Sequence, residues 1–172
     1  MKNNSNKLLN NQKGFTFIEL ILYVSIFVMM LVTIIPFSWD MILSSRKSAV
    51  QQEVNSQARY IAERLKYEVR NATGVSAFFP TMIILNTSNP ATNPTWIIGG
   101  GGGQVLVRQG TGSFVPLNSG NTYTNLEFTN YSSSDYKTKN IQFILTVTSK
   151  FGSGNQNNAS TSISSDAEIR SN

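Results

Sequence analysis

The sequence predicts an α+β protein, with one long N-terminal helix packed on a C-terminal antiparallel β-sheet. Three patterns predict it. From Leu20 to Trp39 run 20 uncharged residues dense in Leu, Ile, Val, Phe and Met. An apolar stripe at helical spacing follows, and beyond it come short alternating segments rich in β-branched and aromatic residues.

Residues 1–14, "MKNNSNKLLNNQKG", are polar and carry Lys2, Lys7 and Lys13 without an acid. The apolar run after them is long enough to cross the hydrocarbon core as a helix. Lysines ahead of it place the N-terminus on the cytoplasmic side and the rest of the chain outside. A cleaved secretory signal fits less well: the run is longer than a signal core, Glu19 sits near its start, and no small-x-small site follows. Pro36 offers no N–H to Val32 and its ring crowds that carbonyl, so a kink or loosening is expected there.

Past Asp40 the helical period continues. Leu43, Val50, Val54, Ala58, Ile61, Leu65, Val69 and Ala72 form one stripe, with Gln51, Glu53, Arg59, Glu63, Arg64 and Lys66 opposite. One continuous helix over residues 15–72 is expected, the membrane part over 15–39 and the amphipathic part over 40–73, with Gly74 as its stop. Residues 74–172 then read as an exported antiparallel β-domain. Its expected strands are 81–86, 103–109, 122–131, 140–149 and, more weakly, 159–170. Ile141, Phe143, Leu145 and Val147 alternate toward one buried face. Gly152 and Gly154 mark the turn of a terminal hairpin. The run "GGGGG" at 99–103 lacks a following Lys-Ser/Thr, so it reads as a flexible hairpin tip or linker, not a phosphate loop.

Composition narrows the chemistry. The chain of 172 residues has neither histidine nor cysteine, which removes disulfides, thiol nucleophiles, Cys/His zinc sites and a histidine base. No nucleophile–base pair or metal set can be assembled, so no enzymatic activity, catalytic residue, metal or cofactor is expected. The net charge of +5 owes three of its 14 bases to the first 14 residues, leaving 11 bases against 9 acids elsewhere. A nucleic-acid partner therefore does not follow from the charge. Arg108, Lys137, Lys139, Lys150 and Arg170 read as dispersed, solvated cations, and Glu127, Asp135 and Asp166 as too scattered for a calcium loop. Trp96 and Tyr123 read as core residues in preference to stacking platforms.

The stretch "KGFTFIEL" carries the most specific signal. Lys13 and Gly14 end the basic segment, Phe15 opens the apolar one, and Glu19 follows Thr16, Phe17 and Ile18. This pattern closely resembles the processing site of type IV prepilins and pseudopilins, and the amphipathic helix, β-domain and length resemble that family more loosely. The resemblance implies a pilin-like fold. It implies that residues 1–14 are a leader cut off between Gly14 and Phe15 by a prepilin peptidase, which then methylates the new Phe15 amine. Other pilins, packed helix to helix, and an inner-membrane assembly platform are the implied partners, with the membrane as the store before assembly.

A carboxylate in lipid costs about 2.5–3.5 kcal/mol at mid-depth and less near the edge. Cleavage creates a cationic amine, and a like helix packed with an axial offset would set that amine against Glu19. In the family such a contact is thought to guide docking, and a proline near the position of Pro36 is common. The length, the Ser/Thr-rich terminal hairpin and the absent cysteines point to an accessory subunit, nearest to J-type pseudopilins, of a pilus, type II secretion or DNA-uptake filament at the cell surface or in the periplasm. The alternative is a membrane-anchored adhesin or binding domain that never polymerises.

Overall fold

The computed structural model describes residues 14–132, 139–150 and 158–169. Among the described residues, one helix, α1 (Phe17–Arg70), is followed by eight antiparallel strands, so the α+β class holds. The chain divides into two compact units, Met1–Ile42 and Leu43–Asn172.

In the first unit, α1 contains a window apolar enough to cross a bilayer, and none of that window is buried. Phe17, Ile18, Phe27, Met29 and Val32 are all strongly exposed. The hydroxyls of Ser25, Thr33 and Ser38 are turned back onto the helix. Ser25 donates to the Ile21 carbonyl at 2.7 Å, Thr33 to Met30 at 2.9 Å and Ser38 to Ile34 at 2.9 Å. This hides polar atoms that lipid could not solvate. The helix runs without interruption through Pro36.

The second unit is built on the remainder of α1. Val54, Ala58, Ile61, Ala62, Leu65 and Val69 are buried, each at most 3% exposed, which is the middle of the predicted stripe with Ala62 added. Leu43 lies outside it, 41% exposed. Val50 is half-buried, and the buried Ala72 belongs to the first strand. The helix stops at Arg70, and Asn71 donates back to the Tyr67 carbonyl at 3.1 Å. Gly74 is therefore not the helix stop. It lies within the first strand, where Thr73 and Val75 favour the extended form.

Strands β1 (Ala72–Phe79), β2 (Met82–Thr87), β3 (Thr95–Gly101), β4 (Gln104–Gln109) and β5 (Val115–Pro116) form one meander in that order. Strands β6 (Thr122–Asn130), β7 (Asn140–Ser149) and β8 (Ser160–Glu168) form a second sheet. The expected segments correspond to β2, β4, β6, β7 and β8. β1, β3 and β5 were not expected. Ile141, Phe143, Leu145 and Val147 are each at most 1% exposed, joining Ile83, Leu85, Ile97, Val105 and Leu126 in the core. Fully burying each such aliphatic side chain stabilises by about 1.5–3 kcal/mol. The terminal hairpin is present as the β7–β8 pair, with Gly152 and Gly154 outside the described residues.

The glycine run is a hairpin tip, but a tightly packed one. Gly100, Gly102 and Gly103 have φ of 86°, 71° and 74°, a region that L side chains rarely adopt. Gly99 is buried against Leu126, with its N–H donating to the Thr81 carbonyl at 2.8 Å. The Gly103 carbonyl accepts from the Thr124 N–H at 2.9 Å and from Asn118 Nδ2 at 3.2 Å. Asn118, only 6% exposed, also accepts from the Val105 N–H at 3.1 Å and donates to the Thr122 carbonyl at 3.0 Å. At Gly99 and Gly103 the tip meets the second sheet without a side chain, because a Cβ there would run into Leu126 and Tyr123.

Candidate processing and docking site

The residues of "KGFTFIEL" from Gly14 onward are described. Gly14 is exposed, and a side chain built on it would meet nothing within 4 Å, so its backbone is open to approach. Phe15 is 75% exposed and sets its ring edge-on to Tyr23, with centroids 6.1 Å apart.

Thr16 caps the helix. The Glu19 N–H donates to Thr16 Oγ1 at 3.4 Å and to the Thr16 carbonyl at 3.1 Å, and the Leu20 N–H reaches the same carbonyl at 3.2 Å. These bonds satisfy donors that a helix start leaves open. Glu19 falls in the first turn, where the helix dipole favours a negative charge. Among the described residues its carboxylate has no hydrogen bond and no ion pair. The role of Thr16 was missed from sequence, although Thr-x-x-Glu ahead of an apolar run is a readable helix-start signature.

Pro36 lies 17 positions beyond Glu19 in the same helix, so its missing N–H is not part of the N-terminal cluster. Fixation of the second unit's helix depends on a different carboxylate. Glu68 is 3% exposed, pairs with Arg64 at 2.6 Å and accepts from Gln109 Nε2 at 3.0 and 3.2 Å, tying α1 to β4. Its burial was not expected, because it lies beside the apolar stripe. Asn55 and Gln51 bond to Thr161 and hold the helix to β8 in the same way.

Two groups differ from the sequence reading. Tyr123 is not core: it is 54% exposed, with Lys150 4.4 Å from its ring centre. Arg108 is not a free surface cation, because its guanidinium lies 4.6 Å from the Trp96 ring centre and 4.7 Å from that of Phe114. Lys139 stands by Gly74, away from both. Lys137, Asp135 and Arg170 lie outside the described residues.

Residues 9–35 match the family model for the prokaryotic N-terminal methylation motif. The match covers the last part of the basic segment, the Gly14–Phe15 junction, Glu19 and most of the apolar helix up to Pro36. It supports a type IV pilin-like precursor of the kind that a prepilin peptidase processes. The motif and the unburied apolar helix together fit a membrane-anchored, pilin-type protein. No curated protein and no solved structure matches the chain.

Proposed function

We propose that this chain is a minor structural subunit of a type IV pilin-like filament, cut after Gly14 and docked through its N-terminal helix. The observation that carries the reading is the matched motif at the head of an apolar helix that nothing in the fold buries. Residues 1–14 are the cytoplasmic leader, 15–39 the membrane and assembly helix, 40–73 its amphipathic continuation and 74–172 the exported domain. The anchor stores the subunit in the cytoplasmic membrane with its N-terminus inside.

Cleavage at Gly14 leaves an amine on Phe15, next to a helix already started by the Thr16 cap. The same enzyme methylates that amine. The Glu19 carboxylate, without a partner among the described residues, takes the Phe15 amine of a neighbouring subunit's helix. Pro36 lets the helix loosen as it leaves lipid. Within the family, a J-type pseudopilin-like position fits the length and the Ser/Thr-rich β7–β8 hairpin. The work of assembly falls to an inner-membrane platform.

Intact-mass measurement of the chain from cells with and without prepilin peptidase tests this. A chain beginning at a methylated Phe15 only when the peptidase is present is expected. A chain that keeps Met1–Gly14 in both strains, or loses it in both, contradicts the reading.

A further inference from the structure

The outer face of the five-stranded sheet is apolar where an antiparallel sheet facing water would be polar. On β2, β3 and β4 the inward positions are Ile83, Leu85, Ile97, Val105 and Val107, so alternation turns Ile84, Trp96 and Arg108 to the other side. The registers Ile84↔Trp96 and Trp96↔Arg108 make these one cross-strand row. Met82, Ile98 and Leu106 form a parallel second row. These side chains are half-buried in the single chain, so each keeps part of its surface for a partner, and a Trp–Arg pair at the middle of such a face is the composition of a binding hot spot.

Arg108 states what the site lacks. It is stacked between two rings, and among the described residues its Nε and the Trp96 Nε1 have no acceptor and its guanidinium has no carboxylate partner. A planar guanidinium held on aromatic rings is pre-organised for a carboxylate arriving from outside.

The outer face of the three-stranded sheet supplies one. Glu127 is exposed on β6, accepts from Asn125 Nδ2 at 3.2 Å, and stands directly opposite Ile144, itself 41% exposed. Here a carboxylate with no cation partner among the described residues sits beside an aliphatic side chain.

We propose that the apolar outer face around Arg108 docks on the Glu127–Ile144 patch of a second copy of this chain. Two different faces meet, so the contact is heterologous and each docked copy leaves one face free for the next. Charge sets the orientation, while the apolar rows exclude water around the pair. The inference names a partner surface for the proposed filament subunit and builds on that reading.

The absence of cysteine makes the test direct, because introduced thiols are the only ones in the chain. Full-length Leu106→Cys and Ile144→Cys chains, mixed in detergent micelles and treated with a short bis-maleimide, are expected to give a mixed cross-linked dimer. Arg108→Glu in the first chain, or Glu127→Arg in the second, is expected to lower the yield at least about tenfold. Carrying both reversals together is expected to restore it. Glu127 is exposed, so its reversal reads docking even where Arg108→Glu disturbs the ring stack.

Yields unaffected by either reversal overturn the proposal. So do same-face dimers from Leu106→Cys alone that outnumber mixed ones, or a complete absence of cross-links, which leaves the face to a different protein. Loss of the charge effect with normal cleavage after Gly14 removes only the docking. Absent cleavage with an intact charge effect removes only the filament reading.

Discussion

Replacing Gly99 by alanine isolates the junction of the two sheets with one methyl group. A Cβ at that position would lie 3.0 Å from the Leu126 carbonyl oxygen, 3.1 Å from its Cγ and closer still to its Cβ. Two of those atoms belong to the β6 backbone or are fixed to it, so no rotamer change relieves them. Over-packing of this kind costs about 1–3 kcal/mol. Moving β3 away also weakens the 2.8 Å bond from the Gly99 N–H to Thr81, worth about 1 kcal/mol.

A loss of roughly 2–4 kcal/mol is therefore expected, or on the order of 10 °C in Tm for a chain of this size. The assay is urea unfolding of the full chain in micelles, followed by Trp96 fluorescence with Trp39→Phe as background. Gly102→Ala is the control: nothing lies within 4 Å of its added methyl, and only its φ of 71° is strained, at about 1–2 kcal/mol. Leu126→Ala leaves both the Cβ and the carbonyl in place, so it should not rescue Gly99→Ala. A Gly99→Ala variant within about 0.5 kcal/mol of the parent, at or below the loss in Gly102→Ala, would refute the packed-tip argument.

Glu68→Ala removes the acceptor of Gln109 and the partner of Arg64. It should destabilise by about 2–3 kcal/mol in the same assay, with hydrogen exchange rising first where α1 meets β4. Asn118→Ala leaves the buried Val105 N–H without its acceptor and takes one donor from the Thr122 carbonyl, at about 1–3 kcal/mol, while the Gly103 carbonyl keeps its bond from the Thr124 N–H. Thr16→Val removes the cap, at about 1 kcal/mol, and should speed amide exchange at Glu19 and Leu20 while leaving the β-domain's unfolding unchanged.

The parts of the fold legible in sequence were those with an unbroken period. The stripe from Val54 to Val69 and the alternation of β7 are both repeated enough to outweigh local exceptions. β1 was not legible because Ala72 continues the helical spacing while Thr73 and Val75 already favour a strand, and pairing with β2 decides the contest. β3 was hidden because half of it is glycine. Glycine is a loop signal until the neighbouring strand requires its absence of a side chain, as Leu126 does at Gly99.

At the N-terminus, the resemblance of "KGFTFIEL" to a prepilin processing site singled out Gly14, Phe15 and Glu19, inside the stretch that matches the methylation-motif family. Spacing could not mark the Arg108 stack, since nothing in the local sequence brings Trp96 and Phe114 to one side chain. Tyr123 failed as a core residue for a related reason. Its strand alternates, and the inward register belongs to Thr122, Thr124, Leu126 and Phe128.

The central claim is that Glu19, partnerless among the described residues, is neutralised by the Phe15 amine of a neighbour. The most direct measurement is the abundance of Glu19→Val in filaments sheared from cells that process it normally after Gly14. The account predicts a subunit that is cleaved and retained in the membrane but at least about tenfold depleted from filaments. Normal abundance of Glu19→Val in those filaments would contradict it.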